Sequence, residues 1–162
     1  MTEDAGGVLV RQARLEDAAA LADLATQLGN PSTPGEVVAR LRRILPHPDH
    51  AVFVAETEGS GAAGRAQGFA HVFAGMALET GARAELLGLV TEQALRSRGI
   101  GRRLVAAAEE WALARGFATL LVRCNVVRTR AHSFYEGMGY QCVKTQKNFR
   151  KSLAGGGESV RT

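Results

Sequence analysis

The run Arg96-Ser97-Arg98-Gly99-Ile100-Gly101-Arg102-Arg103 combines residue types and spacing suited to holding an anion. Glycine at positions 99 and 101 lets the main chain turn tightly and come close to a ligand. The free N–H groups of a helix starting there, with its dipole, attract negative charge. A diphosphate suits such a bend because its oxygens accept several main-chain hydrogen bonds at once, and Arg98, Arg102 or Arg103 can reach further phosphates. Two other nucleotide-binding patterns fail on spacing. No Gly-Lys-Ser/Thr ending follows, which excludes a Walker loop, and Leu104 stands where a dinucleotide fingerprint has its third glycine. Taken alone, the glycine pair also fits an ordinary strand-to-helix turn with a solvated basic face.

A second segment narrows the choice. Ala131-His132-Ser133-Phe134-Tyr135-Glu136-Gly137-Met138-Gly139-Tyr140 resembles the Ala-x-x-x-Tyr-x-x-x-Gly-Phe/Tyr segment of the GCN5-related N-acetyltransferase (GNAT) superfamily. Arg96-x-x-Gly99-x-Gly101 resembles that superfamily's Arg/Gln-x-x-Gly-x-Gly/Ala signature, and the two occur in the same order. The likeness in element order runs from about Val8 to Leu153, and its close part is Glu85 to Tyr140. It implies acetyl-CoA as cosubstrate, with Arg96, Ser97, Arg98, Gly99, Ile100, Gly101 and Arg102 at the pyrophosphate. It further implies that Leu89, Val90 and Thr91 offer main-chain groups to the pantetheine arm and the acetyl carbonyl. In the superfamily that strand splays from its neighbour, and pantetheine enters the slot almost as an added strand. One position departs from the pattern. The asparagine commonly found seven residues before the tyrosine is Arg128 here, and Asn125 comes ten before, so both are carried as cofactor-contacting candidates.

Acetyl transfer to an amine needs a neutral nucleophile, a stabilised oxyanion and a proton for the departing thiolate. An alkylamine has a pKa of about 10.4, so its proton must be removed or relayed at neutral pH. Tyr135, at the position of the family's catalytic tyrosine, is the candidate general acid: a phenol of pKa about 10 can protonate a thiolate of about 8.5. Its alternative role is packing of the last helix. Glu85 is the candidate base, at the offset of the glutamate used by histone-acetylating members. It is expected to share a strand face with Leu87, Leu89 and Thr91. A solvated edge glutamate is the competing reading, and many members relay the proton through water. A main-chain N–H at Val90 or a neighbour is the expected oxyanion donor. His71 and His132 are second choices, and His47 and His50 flank prolines in a loop. Neither His71 nor His132 has a second ligand at metal spacing, and no metal is expected. Cys124 reads as a small buried apolar residue.

These groups require a framework. Val8 to Ala13 alternates as a strand, and helical spacing follows from Glu16 to Leu28. Thr33-Pro34-Gly35-Glu36 is a capping box opening a second helix that Pro46 ends. Strands are expected over 51–56, 67–73 and 83–91, a helix over 100–115, a buried strand over 118–124, a short helix over 130–138 and a last strand or two over 140–150. The predicted class is α/β: a single-domain GNAT fold, a mixed, mostly antiparallel sheet with one parallel βαβ crossover and a splayed acetyl-CoA slot. The domain is expected to span 1–153, with a disordered tail over 154–162.

The bulk numbers agree with that frame. The chain has 162 residues, 46% hydrophobic and 22% charged, the profile of one globular domain. A net charge of +4 admits an anionic cofactor or weak nucleic-acid contact, yet no aromatic stacking platform accompanies the arginines, so no nucleic acid is expected. No stretch is long enough to cross a bilayer, no signal peptide is evident, and two cysteines do not make a disulfide framework, so a cytoplasmic protein without a membrane partner is expected. The ending from Val143 to Lys151 and the Ala-His-x-Phe-Tyr run look like small-molecule acetyltransferases, which favours a small-molecule amine acceptor. A protein N-terminus, a lysine, or a non-catalytic acyl-CoA-binding module remain the alternatives. Dimers are frequent among similar proteins, and a homodimer is an open expectation.

Overall fold

The computed structural model describes residues 7–57, 65–95 and 99–154. Within them the two apolar periods sort into strands β1 (Val8–Gln12), β2 (His50–Thr57), β3 (Gly68–Ala77), β4 (Gly81–Thr91) and β5 (Leu120–Val122). The helices are α1 (Ala18–Gln27), α2 (Pro34–Ile44), α3 (Ile100–Ala114) and α4 (Thr129–Gly137). The capping box forms in full: Glu36 N donates to Thr33 Oγ1 at 3.2 Å and Thr33 N donates to Glu36 Oε2 at 2.9 Å, which fixes the start of α2.

The sheet runs in the order β1-β2-β3-β4-β5. The first three pairings are antiparallel and β4–β5 is parallel, so α3 is the crossover that a parallel pair requires. One sheet face packs against α1 and α2, where Leu21, Leu24, Val37 and Leu41 close over Val52, Val54 and Val90. The other face receives α3 at close range. A Cβ added to Gly68 would stand 3.0 Å from Leu104 Cδ1 and 3.2 Å from Ile100 Cγ2, so glycine there admits the first turns of α3 onto the sheet.

A buried ion pair ties β1 to the turn before α1. Arg11 donates to Asp17 through Nη1 at 2.8 Å and Nη2 at 2.7 Å, and through Nε to Glu56 at 2.5 Å, while Arg14 N donates to Asp17 Oδ2 at 2.7 Å. Burial by itself would raise the Asp17 carboxyl; the Arg11 and Arg14 hydrogen bonds outweigh it and hold the group below its ordinary value. A depressed folded pKa contributes stability that is present above the unfolded value of about 3.9 and is lost as pH falls through the folded one. Asp17→Asn is therefore expected to cost about 3 kcal/mol in urea unfolding at pH 7, because Arg11 loses its buried partner. The gap between variant and parent should narrow as pH falls through the depressed folded value, where the parent's carboxyl is itself protonated.

Backbone contacts divide the chain into two compact units, Met1–Arg123 and Cys124–Thr162. The first holds the sheet and α1 to α3. The second holds α4, none of whose residues is buried, and the segment 141–154, exposed throughout. The strands expected over 140–150 are not formed: no helix or strand is present from 140 to 154. Alternation alone does not make a strand, because its main-chain groups need a neighbouring ladder. The expected tail lies, from residue 155 onward, outside the described residues.

Candidate active site

The expected face of Glu85 is corrected by a bulge. Along β3 the residues Phe69, His71 and Phe73 stand opposite Val90, Gly88 and Glu85, so three steps on β4 span two on β3 between His71 and Phe73. Leu87 is the extra residue. A bulge reverses the alternation beyond it. Glu85 therefore shares a face with Gly88 and Val90, the face covered by α1 and α2, and not with Leu89 and Thr91. The one-residue insertion leaves no mark in the apolar pattern of a strand that is buried on both sides.

The pairing of β4 with β5 stops at the same place. It runs Ala84 with Leu120, Glu85 with Leu121 and Leu86 with Val122, and β4 then continues through Leu89, Val90 and Thr91 with β3 as its one strand partner among the described residues. Val90 is buried, whereas Leu89 and Thr91 are half-buried. Main-chain groups on the β5 side of this stretch are thus left for another partner, which is the geometry of a slot for an extended chain.

Four residues after the half-buried Leu95, α3 opens at Gly99. Gly99 has φ +79°, a left-handed conformation that disfavours any side chain, and a Cβ built there would meet nothing within 4 Å. Its carbonyl accepts from Arg103 N at 3.2 Å. Ile100 is fully buried and anchors the turn, Gly101 is half-buried and Arg102 is exposed. The bend opens a fifteen-residue helix, whose first N–H groups have no partner within the helix, as anion binding requires. Arg96, Ser97 and Arg98 lie outside the described residues.

Glu85 is buried, only 6% exposed, and its carboxylate is held by two arginines. Arg123 Nε approaches Oε1 at 3.0 Å and Arg83 Nε approaches Oε2 at 3.7 Å. Sequence reasoning missed both partners. Spacing could have found Arg83, two residues before Glu85 on the same strand, but not Arg123, which lies two residues after the cross-strand neighbour Leu121 in a register that only the structure gives. On the same face, His50 Nδ1 and His71 Nε2 are 2.9 Å apart. Burial, then the proximity of His50, lowers His71 to about 4, so this ring is neutral at physiological pH. Among the described residues no three His, Cys, Asp or Glu side chains gather as a metal site would need.

In the second unit, Tyr135 lies on α4 with its ring edge-on to Phe134 and Tyr140, centroids 5.2 and 5.7 Å away. Burial, then the Cys124 thiol, pushes its phenol up to about 12. Burial likewise raises Cys124, so both groups hold their protons at neutral pH. Asn125 Oδ1 accepts from Val127 N at 3.1 Å, and its carbonyl accepts from Arg128 N at 3.0 Å. Asn125 thus shapes the turn into α4, and Arg128 occupies the position just before the helix.

The comparison with known sequences decides the family. The model of the acetyltransferase (GNAT) family matches residues 18–140, most of the chain. The protein belongs to the GNAT family. Membership makes it an acetyl-CoA-dependent N-acetyltransferase, and its fold agrees with solved GNAT structures. Aminoglycoside N-acetyltransferase AAC(6')-Iy in complex with CoA superposes with a TM-score of 0.78 at 20% identity, over 93% of this chain and 99% of that one. Aminoglycoside 6'-N-acetyltransferase AAC(6')-IG from Acinetobacter haemolyticus gives 0.75 at 16% identity, over 90% and 99%. A protein described as a transcriptional regulator from Bacillus halodurans C-125 gives 0.78 at 23%, over 89% and 99%. No curated protein sequence matches this GNAT chain.

Proposed function

We propose that this GNAT enzyme transfers the acetyl group of acetyl-CoA to the primary amine of a small molecule. The observation that carries the cofactor assignment is the left-handed bend at Gly99, which starts α3 and follows a β4 stretch without a β5 partner. The diphosphate sits on the amides from Gly99 to Arg102, with Arg96, Ser97 and Arg98 completing the cradle. Pantetheine runs along Leu89 to Thr91, and a main-chain N–H at Val90 or beside it receives the oxyanion as the tetrahedral carbon forms. Asn125 keeps its turn-forming role, and Arg128 is assigned to the cofactor's phosphates. The domain that does this spans 1–153. Two free cysteines support work in a reducing compartment, the cytoplasm.

The amine nitrogen bonds to the acetyl carbon, the C–S bond breaks, and one proton must leave nitrogen while another reaches sulfur. Tyr135 supplies the latter. A phenol raised to about 12 keeps its proton wherever the amine can be neutral, and gives it to sulfur as the thiolate departs. Glu85 removes or relays the amine proton from the α1–α2 face. An incoming ammonium would take the place of an arginine on that carboxylate, exchanging one ion pair for another. Glu85→Gln is expected to lower kcat/KM by about tenfold to a hundredfold at pH 7 and to regain much of it at high pH, where the free amine needs no base. A pH profile parallel to that of the parent would assign the proton to a water relay.

A small acceptor is supported by structural relatives that are named for aminoglycosides, one of them solved with a bisubstrate analogue of CoA and acetylneamine. The test is transfer from labelled acetyl-CoA across a panel of aminoglycosides, polyamines, aminophosphonates, amino acids and peptides. Label in a small amine is the expected result. Label only in peptides would move the acceptor to proteins, and tight cofactor binding without any transfer would make the chain an acyl-CoA-binding module.

A further inference from the structure

The buried carboxylate of Glu85 has two arginines at its rim, whose side chains are 40% (Arg83) and 57% (Arg123) exposed. Each meets Glu85 through Nε, at 3.7 and 3.0 Å, and neither has another partner among the described residues. The Nη side of both guanidiniums is thus uncommitted, and that side can grip a planar anion at two points. Phe73 stands directly opposite Glu85 on β3 and gives the same sheet face an apolar neighbour. The β4–β5 pairing ends at Leu86 with Val122, so Arg123 is the residue just after the last rung, where the unpaired stretch of β4 begins.

Charge then restricts what can dock on Glu85. Two guanidiniums and one carboxylate leave one net positive charge, and burial holds His50 and His71 below the ordinary histidine value, so neither adds to it at neutral pH. A bare ammonium reaching Glu85 raises the count to two and leaves the guanidinium it displaces without a counter-ion. An ammonium joined by a short spacer to an anion adds no net charge, and its anion takes up that guanidinium.

We propose that the acceptor is a primary amine carrying its own carboxylate or phosphonate a few bonds away, and that Arg83 and Arg123 select it. The inference rests on the reading that the amine of a small molecule is acetylated at Glu85, and it names the class of that molecule. The ammonium lies on Glu85, the anion on the Nη groups at the rim, and the short carbon chain beside Phe73. A polycation such as an aminoglycoside or a polyamine brings several uncompensated charges to the same place and is disfavoured.

Initial rates at saturating acetyl-CoA with β-alanine, propylamine and diaminopropane, which share a carbon count and differ at the far end, test the selection, with aminoethylphosphonate as the phosphonate member. In the parent, kcat/KM should fall about tenfold or more from the two anionic amines to propylamine, and further to diaminopropane. Arg123→Gln and Arg83→Gln should each cost the anionic amines about tenfold, through KM more than kcat, and cost propylamine much less. Arg123→Lys, which keeps the charge, should restore part of the preference. Equal efficiency across the set, or a preference for diaminopropane, would overturn the selection and leave a small-amine acetyltransferase standing. An equal loss for every acceptor in Arg123→Gln would do the same, because the arginine would then act by supporting Glu85. Label in peptides alone, or no transfer to any amine with cofactor bound, would overturn both readings.

Discussion

Gly101→Glu is expected to abolish acetyl-CoA binding, with the dissociation constant rising by about a thousandfold or more in calorimetry. The new carboxylate would stand in the first turn of α3, where the diphosphate must accept main-chain hydrogen bonds. Two unit charges of like sign about 4 Å apart repel by about 4 kcal/mol near a protein surface, which is the thousandfold. The fold should survive the change. Gly101 is half-buried, glutamate is the better helix former by about 0.5–1 kcal/mol, and an acidic group near a helix N-terminus suits the dipole. A melting temperature at or above that of the parent, together with lost binding, is thus the predicted pair of results. Ordinary affinity in a folded variant would remove the bend from the cofactor site.

The second large effect is on turnover. Tyr135→Phe should lower kcat by about a hundredfold or more while acetyl-CoA affinity stays within about a factor of three. The substitution keeps the ring that packs against Phe134 and Tyr140 and deletes only the hydroxyl, so α4 keeps its packing. Because the phenol is pushed up to about 12, the parent's rate should show no fall below about pH 10 that can be assigned to its ionisation. An unchanged kcat in Tyr135→Phe would assign the thiolate's proton to another donor.

Which features could be read from the chain, and which could not, follows from the range of the interactions involved. The capping box at Thr33, the Gly99 turn and the helix after it are local: their hydrogen bonds join residues three or four apart, and the residue types declare them. The bulge at Leu87 is not local. It depends on which β3 residues stand opposite, and an apolar run such as Leu86-Leu87 carries the same pattern with or without an inserted residue. It turned Glu85 away from the face expected for it and toward Val90. The Arg123 pair of Glu85 was hidden for a related reason, since a parallel register between positions 36 residues apart is set by the α3 crossover and not by spacing. The segment after Tyr140 shows the opposite limit. Its alternation was legible, but alternation does not supply the ladder that a strand needs, and no strand forms from 140 to 154.

The central claim is that amide hydrogens at the start of α3 hold the cofactor's diphosphate, and it can be observed directly by titrating 15N-labelled protein with CoA. The account predicts that the amide signals of Gly99, Ile100, Gly101, Arg102 and Arg103 shift and saturate together with those of Leu89 to Thr91. Saturation of CoA binding with the 99–103 amides unmoved would contradict it.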